Sequence, residues 1–189
     1  MKMILYMAVS IDGIAALDDE HGIEEYGSPE DRDFFLGRAK KCGAVVMGRK
    51  TARHKVGGVP NIVLTHSAKD CRVKPDNDTG APDNDTVSCS RLTRASFGDG
   101  RVYMSGSAQQ VYDKIAAMGF KKVALLGGPA TNEQFLRAGL VDEIFLTVEP
   151  VTIGRGIHFA NQPLETRWTL AGVKKLNKRG TLVLHYKAR

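Results

Sequence analysis

The sequence predicts an α/β fold in which helices cover a mostly parallel sheet of about eight strands. Short apolar runs alternate with amphipathic stretches along the 189 residues, as in chains whose strands and helices follow one another. The last two apolar runs are separated by a short polar turn, which predicts a C-terminal antiparallel hairpin. A composition of 42% hydrophobic and 25% charged residues excludes disorder of the whole chain.

The strands are predicted from apolar runs that are bounded by glycine or polar residues. The turn of the C-terminal hairpin is predicted at Asn177 to Gly180. The eight predicted strands cover residues 3–9, 44–48, 61–65, 102–106, 123–127, 143–151, 168–176 and 181–187.

Three helix starts are predicted from capping residues. Ser28, Ser107 and Thr131 each carry a hydroxyl that can accept a hydrogen bond from a backbone N–H at the start of a helix. Gly119 and Gly139 are natural C-terminal stops of the second and third helices. The predicted helices cover residues 29–41, 108–118 and 132–138.

The chain is expected to form a single domain over residues 1–189. Between about residues 70 and 90 the sequence is polar and holds the motif PDNDT twice, at 75–79 and 82–86. The motif lacks the spacing and the closing Glu of a calcium-binding loop. This stretch is therefore predicted to be a surface insertion.

The net charge of +6 comes from 27 basic and 21 acidic residues, and residues 168–189 carry the whole excess. We interpret these basic residues as charges that keep an edge hairpin from pairing with the strands of other chains. A field that attracts an anionic ligand is the alternative. A second function class, a non-enzymatic protein that binds nucleotides or nucleic acid through this hairpin, stays open, although Trp168 and Tyr186 are its only aromatic residues for stacking.

Several classes of protein are not expected. No run approaches the roughly 18 apolar residues that span a bilayer, and no signal-peptide cleavage site follows the N-terminal apolar run, so a cytoplasmic protein without membrane contact is expected. The five histidines show no metal-ligand spacing, and no metal site is expected. The three cysteines form no C-x-x-C pair, so a disulfide framework is not expected either.

Two strand ends contain glycine and could hold phosphate groups. In MGRKT at 47–51, Gly48 lets a ligand approach, Arg49 and Lys50 supply positive charge, and Thr51 can cap a helix and donate to a phosphate oxygen. In LLGGP at 125–129, the paired glycines precede the predicted cap at Thr131. Both follow strands at the carboxyl ends, where open α/β sheets bind ligands, and together they suit a dinucleotide.

A family resemblance is carried by MILYMAVSIDGIAA, PEDRDFF, VVMGRKT, NIVLT, LLGGP and GLVDEIFLTVEPVTIGRG, which span nearly the whole chain. These segments resemble the dihydrofolate reductase superfamily, which implies a three-layer fold. The S-x-D-G motif and the run from GLVDE to TIGRG resemble the riboflavin biosynthesis reductases (the RibD C-terminal domain), to which the chain is closest. The motifs PED and VVMGRKT resemble the folate enzymes.

The resemblance implies NADPH as cofactor and hydride transfer to a pteridine or pyrimidine ring. Residues that match segments around the cofactor's phosphates are Gly48, Arg49, Lys50, Thr51, Leu126, Gly127, Gly128, Pro129 and Thr131. Residues that match the adenosine side are Thr65, His66 and Ser67. Residues that match the loop over the nicotinamide are Ala8, Ser10, Asp12 and Gly13.

Asp31 and Asp12 are the candidate catalytic residues. In folate enzymes a carboxylate near the start of this helix anchors the ring and assists its protonation. Asp31 and Phe35 lie four residues apart on one helix face, so the carboxyl group stands beside an apolar surface where its pKa can rise. Stabilisation of the helix N-terminus is the alternative role of Asp31. Asp12 and Ser10 are expected at the substrate, but Asp12 can equally serve as a turn former before Gly13.

Two further expectations complete the interpretation. The riboflavin reductases usually carry a glutamate before the paired glycines, where this chain has Leu126, and this departure weakens the specific pyrimidine assignment. A homodimer is expected from the long apolar strand at 143–151 and from the riboflavin-pathway resemblance. The sequence thus predicts an NADPH-dependent reductase of a small heterocycle that binds neither nucleic acid nor membranes.

Overall fold

The computed structural model describes residues 1–18, 21–22, 25–65, 73–74, 100–160 and 163–189. Its strands are β1 (Lys2–Ser10), β2 (Ile14–Ala16), β3 (Ala44–Gly48), β4 (Asn61–Thr65), β5 (Val73–Lys74), β6 (Arg101–Ser105), β7 (Lys122–Leu125), β8 (Glu143–Glu149), β9 (Ile157–His158), β10 (Trp168–Lys175) and β11 (Leu182–Ala188). Its helices are α1 (Pro29–Ala39), α2 (Ala108–Ala117) and α3 (Pro129–Arg137), and a single 3₁₀ turn covers Thr51–Arg53.

Nine strands form one sheet in the order β10-β11-β8-β1-β7-β3-β4-β6-β5. The six strands from β8 to β6 are parallel, whereas β11 runs antiparallel to β8 and β10 antiparallel to β11. β2 and β9 form a separate two-stranded sheet. The predicted α/β class, the mostly parallel sheet and the C-terminal hairpin are therefore confirmed.

The sheet is the middle of three layers, which explains why its central strands are continuous apolar runs. In β1, Met3 and Leu5 pack with residues of α2 and α3 on one face. Ile4 and Tyr6 pack on the other face, where α1 contributes Ala39. Successive side chains of a strand point to opposite faces, so both faces of β1 are buried.

The capping predictions are right for two helices and wrong for the third. The hydroxyl of Ser28 accepts from the N–H of Asp31, and Ser107 forms a full capping box with Gln110. α3 begins at Pro129, with Gly128 as its N-cap, because proline needs no hydrogen-bond acceptor at the first helical position. Thr131 therefore lies inside the first turn of α3 and does not cap it.

Other differences concern short elements. The three shortest strands, β2, β5 and β9, were not predicted, because two or three residues carry no periodic signal. β5 falls inside the predicted insertion, where it pairs antiparallel with β6. The rest of that insertion, with both PDNDT motifs, Cys71 and Cys89, lies outside the described residues.

The strand that suggested a homodimer ends at Glu149, two residues before the predicted end. It lies between β1 and β11, and most of its side chains are buried within the same chain. Its apolar character is therefore explained by the core. The homodimer stays a prediction of the sequence.

Candidate active site

A cleft of about 1460 Å³ opens where the parallel strands end. β1, β3, β4, β7 and β8 all direct their carboxyl ends to this edge of the sheet. The direction of winding reverses there. The chain passes from β1 to β3 on one side of β1, whereas it later passes from β7 back across β1 to β8 on the other side. Open α/β sheets bind ligands at such a point.

Two glycine-containing strand ends meet at the cleft. The N–H of Gly48 donates to the carbonyl of Gly127 over 2.8 Å, and a Cβ on Gly48 would stand 2.7 Å from the Thr131 hydroxyl oxygen. Gly127 has a φ of +89°, and its peptide bond to Gly128 is cis. This close approach requires glycine at both positions.

Thr51 links the two glycine segments. Its hydroxyl oxygen accepts a hydrogen bond from the N–H of Gly128 over 3.0 Å. The prediction that Thr51 caps a helix is wrong, because it is the first residue of the 3₁₀ turn and Lys50 stands at the N-cap. Thr51 instead fixes the position of the N-cap of α3 beside the end of β3.

Positive groups surround this glycine turn. Arg49 and Lys50 follow β3, are exposed and line the cleft, and Arg53 lies one turn further on. The first turn of α3, which also lines the cleft at Pro129 and Thr131, contains no acidic residue. A helix N-terminus and nearby cations both favour an anionic ligand.

The remaining residues of the predicted cofactor set are placed as follows. Ala8, Thr65 and Leu126 line the cleft, whereas Gly13 and Gly127 do not. His66 and Ser67 lie outside the described residues.

Asp31 lies in the first turn of α1 and lines the cleft although it is only 5% exposed. Burial raises the pKa of its carboxyl group to about 6; a hydrogen bond with Thr147 opposes this shift and the negative charge of Glu149 adds to it. Phe35 is half-buried and also lines the cleft. A protonated acid beside an apolar wall can donate a hydrogen bond or a proton to a ligand.

Asp12 has the opposite surroundings. Its carboxylate accepts a hydrogen bond of 2.6 Å from the Ser10 hydroxyl, one of 2.6 Å from the N–H of Gly154 and longer ones from the N–H of Ile153. The bonds from Ser10 and Gly154 lower the pKa of Asp12 to about 2. Through these hydrogen bonds the carboxylate joins the turn after β1 to the segment after β8. Neither Asp12 nor Ser10 lines the cleft.

The sequence reasoning missed Glu149 and Thr147. Glu149 is 2% exposed and ends β8, and both of its carboxylate oxygens accept hydrogen bonds. The signal was present, since Glu149 is an acid near the end of a largely apolar strand, but the strand was interpreted as an interface. Thr147, two residues earlier, lines the cleft on the same side of β8.

A metal-binding cluster and a membrane-spanning helix are both absent from the described part of the chain. Within it, no group of three or more His, Cys, Asp or Glu side chains is arranged to hold a metal ion. No helix among those residues is long and apolar enough to cross a membrane.

Comparisons with known proteins identify related chains. The uncharacterized protein YwjB of Bacillus subtilis (strain 168) is 28% identical over 192 residues, covering 98% of this chain and 97% of that protein. A pyrimidine reductase-like protein from Corynebacterium diphtheriae has a similar structure with a TM-score of 0.72 and 20% identity, over 100% of this chain and 92% of that one. RibD of Acinetobacter baumannii is similar with a TM-score of 0.71 and 15% identity, and this chain spans 58% of its length.

At these identities the two solved structures show a shared fold. The sequence itself matches the family model of the RibD C-terminal domain over residues 1–182. This chain therefore belongs to the RibD C-terminal domain family.

Proposed function

We propose that the protein is a reductase that binds NADPH and transfers a hydride to a pyrimidine or pteridine ring, with a ribosylaminopyrimidine phosphate as the first candidate substrate. The proposal depends on one observation: the same cleft is lined by a basic glycine turn and by a buried carboxyl group. Membership in the RibD C-terminal domain family favours a pyrimidine over a folate substrate.

The residues of the glycine turn fit a dinucleotide. Gly48 and Gly128 line the cleft, and the Thr131 hydroxyl lies 2.7 Å from where a Cβ of Gly48 would be, so a phosphate oxygen can approach this turn and its hydroxyl group. Arg49, Lys50 and the N-terminus of α3 supply the positive potential that a pyrophosphate and a 2′-phosphate require. The cleft of about 1460 Å³ has room for a heterocycle beside such a cofactor.

NADPH, when bound, supplies the hydride, and the protein supplies binding, orientation and a proton. Asp31 is proposed to hydrogen-bond the amino-pyrimidine edge of the substrate and to give a proton to the ring. With a pKa of about 6, a fraction of Asp31 is protonated at neutral pH, and the conjugate base regains its proton from water. Phe34 and Phe35 line the cleft near this group and limit the access of water.

Substrate turnover provides the direct test. NADPH oxidation is followed with a ribosylaminopyrimidine phosphate and, separately, with dihydrofolate. We expect oxidation with the pyrimidine, and turnover of dihydrofolate alone would move the protein to the folate side of the superfamily. For the non-enzymatic alternative, the protein is bound to a nicotinamide-dye resin; elution by nucleic acid and not by NADPH would favour that alternative.

Arg49→Ala tests the cofactor site. We expect NADPH affinity to fall by about tenfold to a hundredfold, because one charge-assisted hydrogen bond contributes about 1.5–3 kcal/mol, whereas NADH affinity should change little. The matched control is Arg167→Ala, which removes an exposed arginine that does not line the cleft. Both affinities are measured by isothermal titration. Equal binding of NADPH and NADH by the unmodified protein would contradict this assignment.

A further inference from the structure

Two carboxyl groups are buried side by side below the cleft. Asp31 is 5% exposed and Glu149 is 2% exposed. Buried carboxylates are usually paired with a cation, because removal of a charge from water is costly. Among the residues that the structure describes, no lysine or arginine forms an ion pair with either group. This arrangement needs an explanation beyond stability.

Glu149 is held by three donors. One carboxylate oxygen accepts from the backbone N–H of Ser28 over 2.8 Å and from its hydroxyl over 2.7 Å, and the other accepts from the Thr181 hydroxyl over 2.7 Å. These hydrogen bonds fix the position of the Glu149 carboxylate. Thr181 directly precedes β11 and is fully buried, so this donor is shielded from water.

The same hydrogen bonds connect Glu149 to Asp31. The Ser28 hydroxyl, which donates to Glu149, also accepts from the N–H of Asp31 over 3.3 Å and so caps α1. Thr147 and Glu149 are two residues apart on β8, so they share one face of the strand, and Thr147 hydrogen-bonds Asp31. β8 therefore places a hydroxyl and a negative charge next to the carboxyl group that the proposed reaction uses.

We propose that Glu149 is a positioning residue: its hydrogen bonds to Ser28 hold the first turn of α1 against β8, so that the Asp31 carboxyl group stays buried beside a second acid. This inference rests on the proposed function for its catalytic meaning. The structural part of the proposal, the position of Glu149 beside Asp31, can be tested separately, because the protonation of Asp31 is measurable without substrate or cofactor.

The other charged neighbours do not replace Glu149 in this role. On α1, Glu30 and Arg32 flank Asp31 and are exposed. A hydrogen bond from its own backbone N–H is the main cause of the lowered pKa of Glu30. The hydrogen bond from Asn177, in the turn between β10 and β11, and the charge of Arg179 lower this pKa further.

On the sheet, Tyr6 of β1 lines the same cleft, and burial raises its pKa to about 12, so it is neutral in the working range. The basic residues Arg53, His54 and Lys55 line the cleft on the 3₁₀ turn and the segment that follows it. Glu149 is the charged neighbour whose field raises the pKa of Asp31.

The test is a carbon-detected NMR titration of the Asp31 side chain in the free protein. We expect a midpoint of about 6 in the unmodified chain and a lower midpoint in Glu149→Gln, because the like charge is gone. The midpoint of the variant should stay above 3.8, since burial is the larger cause of the raised pKa. Glu149→Asp, which keeps the charge, should restore a raised midpoint. Glu143→Gln is the matched control. Glu143 lies at the other end of β8, where its carboxylate accepts a hydrogen bond of 2.7 Å from the Lys2 ammonium group. An unchanged midpoint in Glu149→Gln overturns the proposal.

Thr181→Val covers the case in which Glu149→Gln does not fold. Loss of the Thr181 hydroxyl removes one of the three hydrogen bonds that hold Glu149 in place, so the Asp31 midpoint should again fall, by less than in Glu149→Gln. A wild-type midpoint in a folded Thr181→Val would then contradict the proposal.

Activity supplies a separate readout. The rate should fall as pH rises through the Asp31 midpoint, and in Glu149→Gln this fall should move to lower pH while the KM for NADPH is unchanged. A shifted NMR midpoint without any activity would leave the role of Glu149 intact and refute the proposed reductase function.

Discussion

Asp12 and Asp31 both stand next to the carboxyl ends of central strands, yet the protein treats them in opposite ways. Asp12 is exposed and accepts hydrogen bonds from one hydroxyl and two backbone N–H groups, and its pKa falls to about 2. Asp31 is buried beside another acid, and its pKa rises to about 6. The same side chain is thus held as an anion in one turn, whereas in the other its pKa lies near neutral pH.

The difference shows which physical factor dominates at each site. At Asp12, water and donated hydrogen bonds both favour the charged form. At Asp31, desolvation is the largest influence, and the one opposing hydrogen bond, with Thr147, does not cancel it. Perturbed acids of the second kind cluster at functional sites, and for this reason we place Asp31 ahead of Asp12 in the proposed mechanism.

The largest expected effect separates the two aspartates by turnover. Asp31→Asn should lower kcat by about a hundredfold to ten-thousandfold, because a positioned general acid contributes about that much. NADPH affinity should stay nearly unchanged, since the predicted cofactor residues lie on other elements. Steady-state kinetics on a confirmed substrate measure both values. Full activity in both Asp31→Asn and Asp12→Asn would leave the proposed mechanism without a proton donor.

A smaller effect concerns stability. The same substitution, Asp31→Asn, is expected to lower turnover but to raise the free energy of unfolding at high pH. Because its pKa is raised from 3.8 to about 6, Asp31 binds its proton more tightly in the folded protein than in the unfolded chain. The stability of the wild type should therefore fall as pH rises between these two values, by about 3 kcal/mol at most. Asp31→Asn lacks this fall and should be the more stable protein at pH 8.

Urea unfolding at pH 4 and pH 8 measures this difference. The gain of Asp31→Asn over wild type should grow between the two pH values. If instead Asp31→Asn is less stable by about 1 kcal/mol at both, the side chain acts only as a favourable charge at the helix N-terminus.

The smallest effect is expected at the other aspartate. Asp12→Asn removes a charge that accepts N–H groups from the segment after β8, and the melting temperature should drop by about 2–4 °C at pH 7. The lowered pKa of Asp12 contributes stability above pH 3.8 that is lost as pH falls through about 2. The difference from wild type should therefore vanish in strong acid. Thermal melts across pH, with Asp33→Asn as an exposed control on α1, check this.

Much of the fold was predictable because its signals are local. Apolar runs located eight of the nine strands of the main sheet, since a strand buried on both faces needs apolar side chains on both. The caps at Ser28 and Ser107 and the C-terminal stops at Gly119 and Gly139 involve residues within one helical turn. The glycine-containing strand ends indicated the edge of the sheet at which the cleft lies, and the resemblance added the superfamily.

Tertiary structure alone decided how the acids behave, because their partners are distant in the chain. Asp12 meets Gly154 across 142 positions, and Glu149 meets Ser28 across 121. In the sequence, Asp12 and Asp31 are both acids near a glycine or an apolar residue, and Glu149 is one of two acids in a largely apolar strand. Burial and donated hydrogen bonds, which set a pKa, exist only when β8 lies beside β1 and under α1.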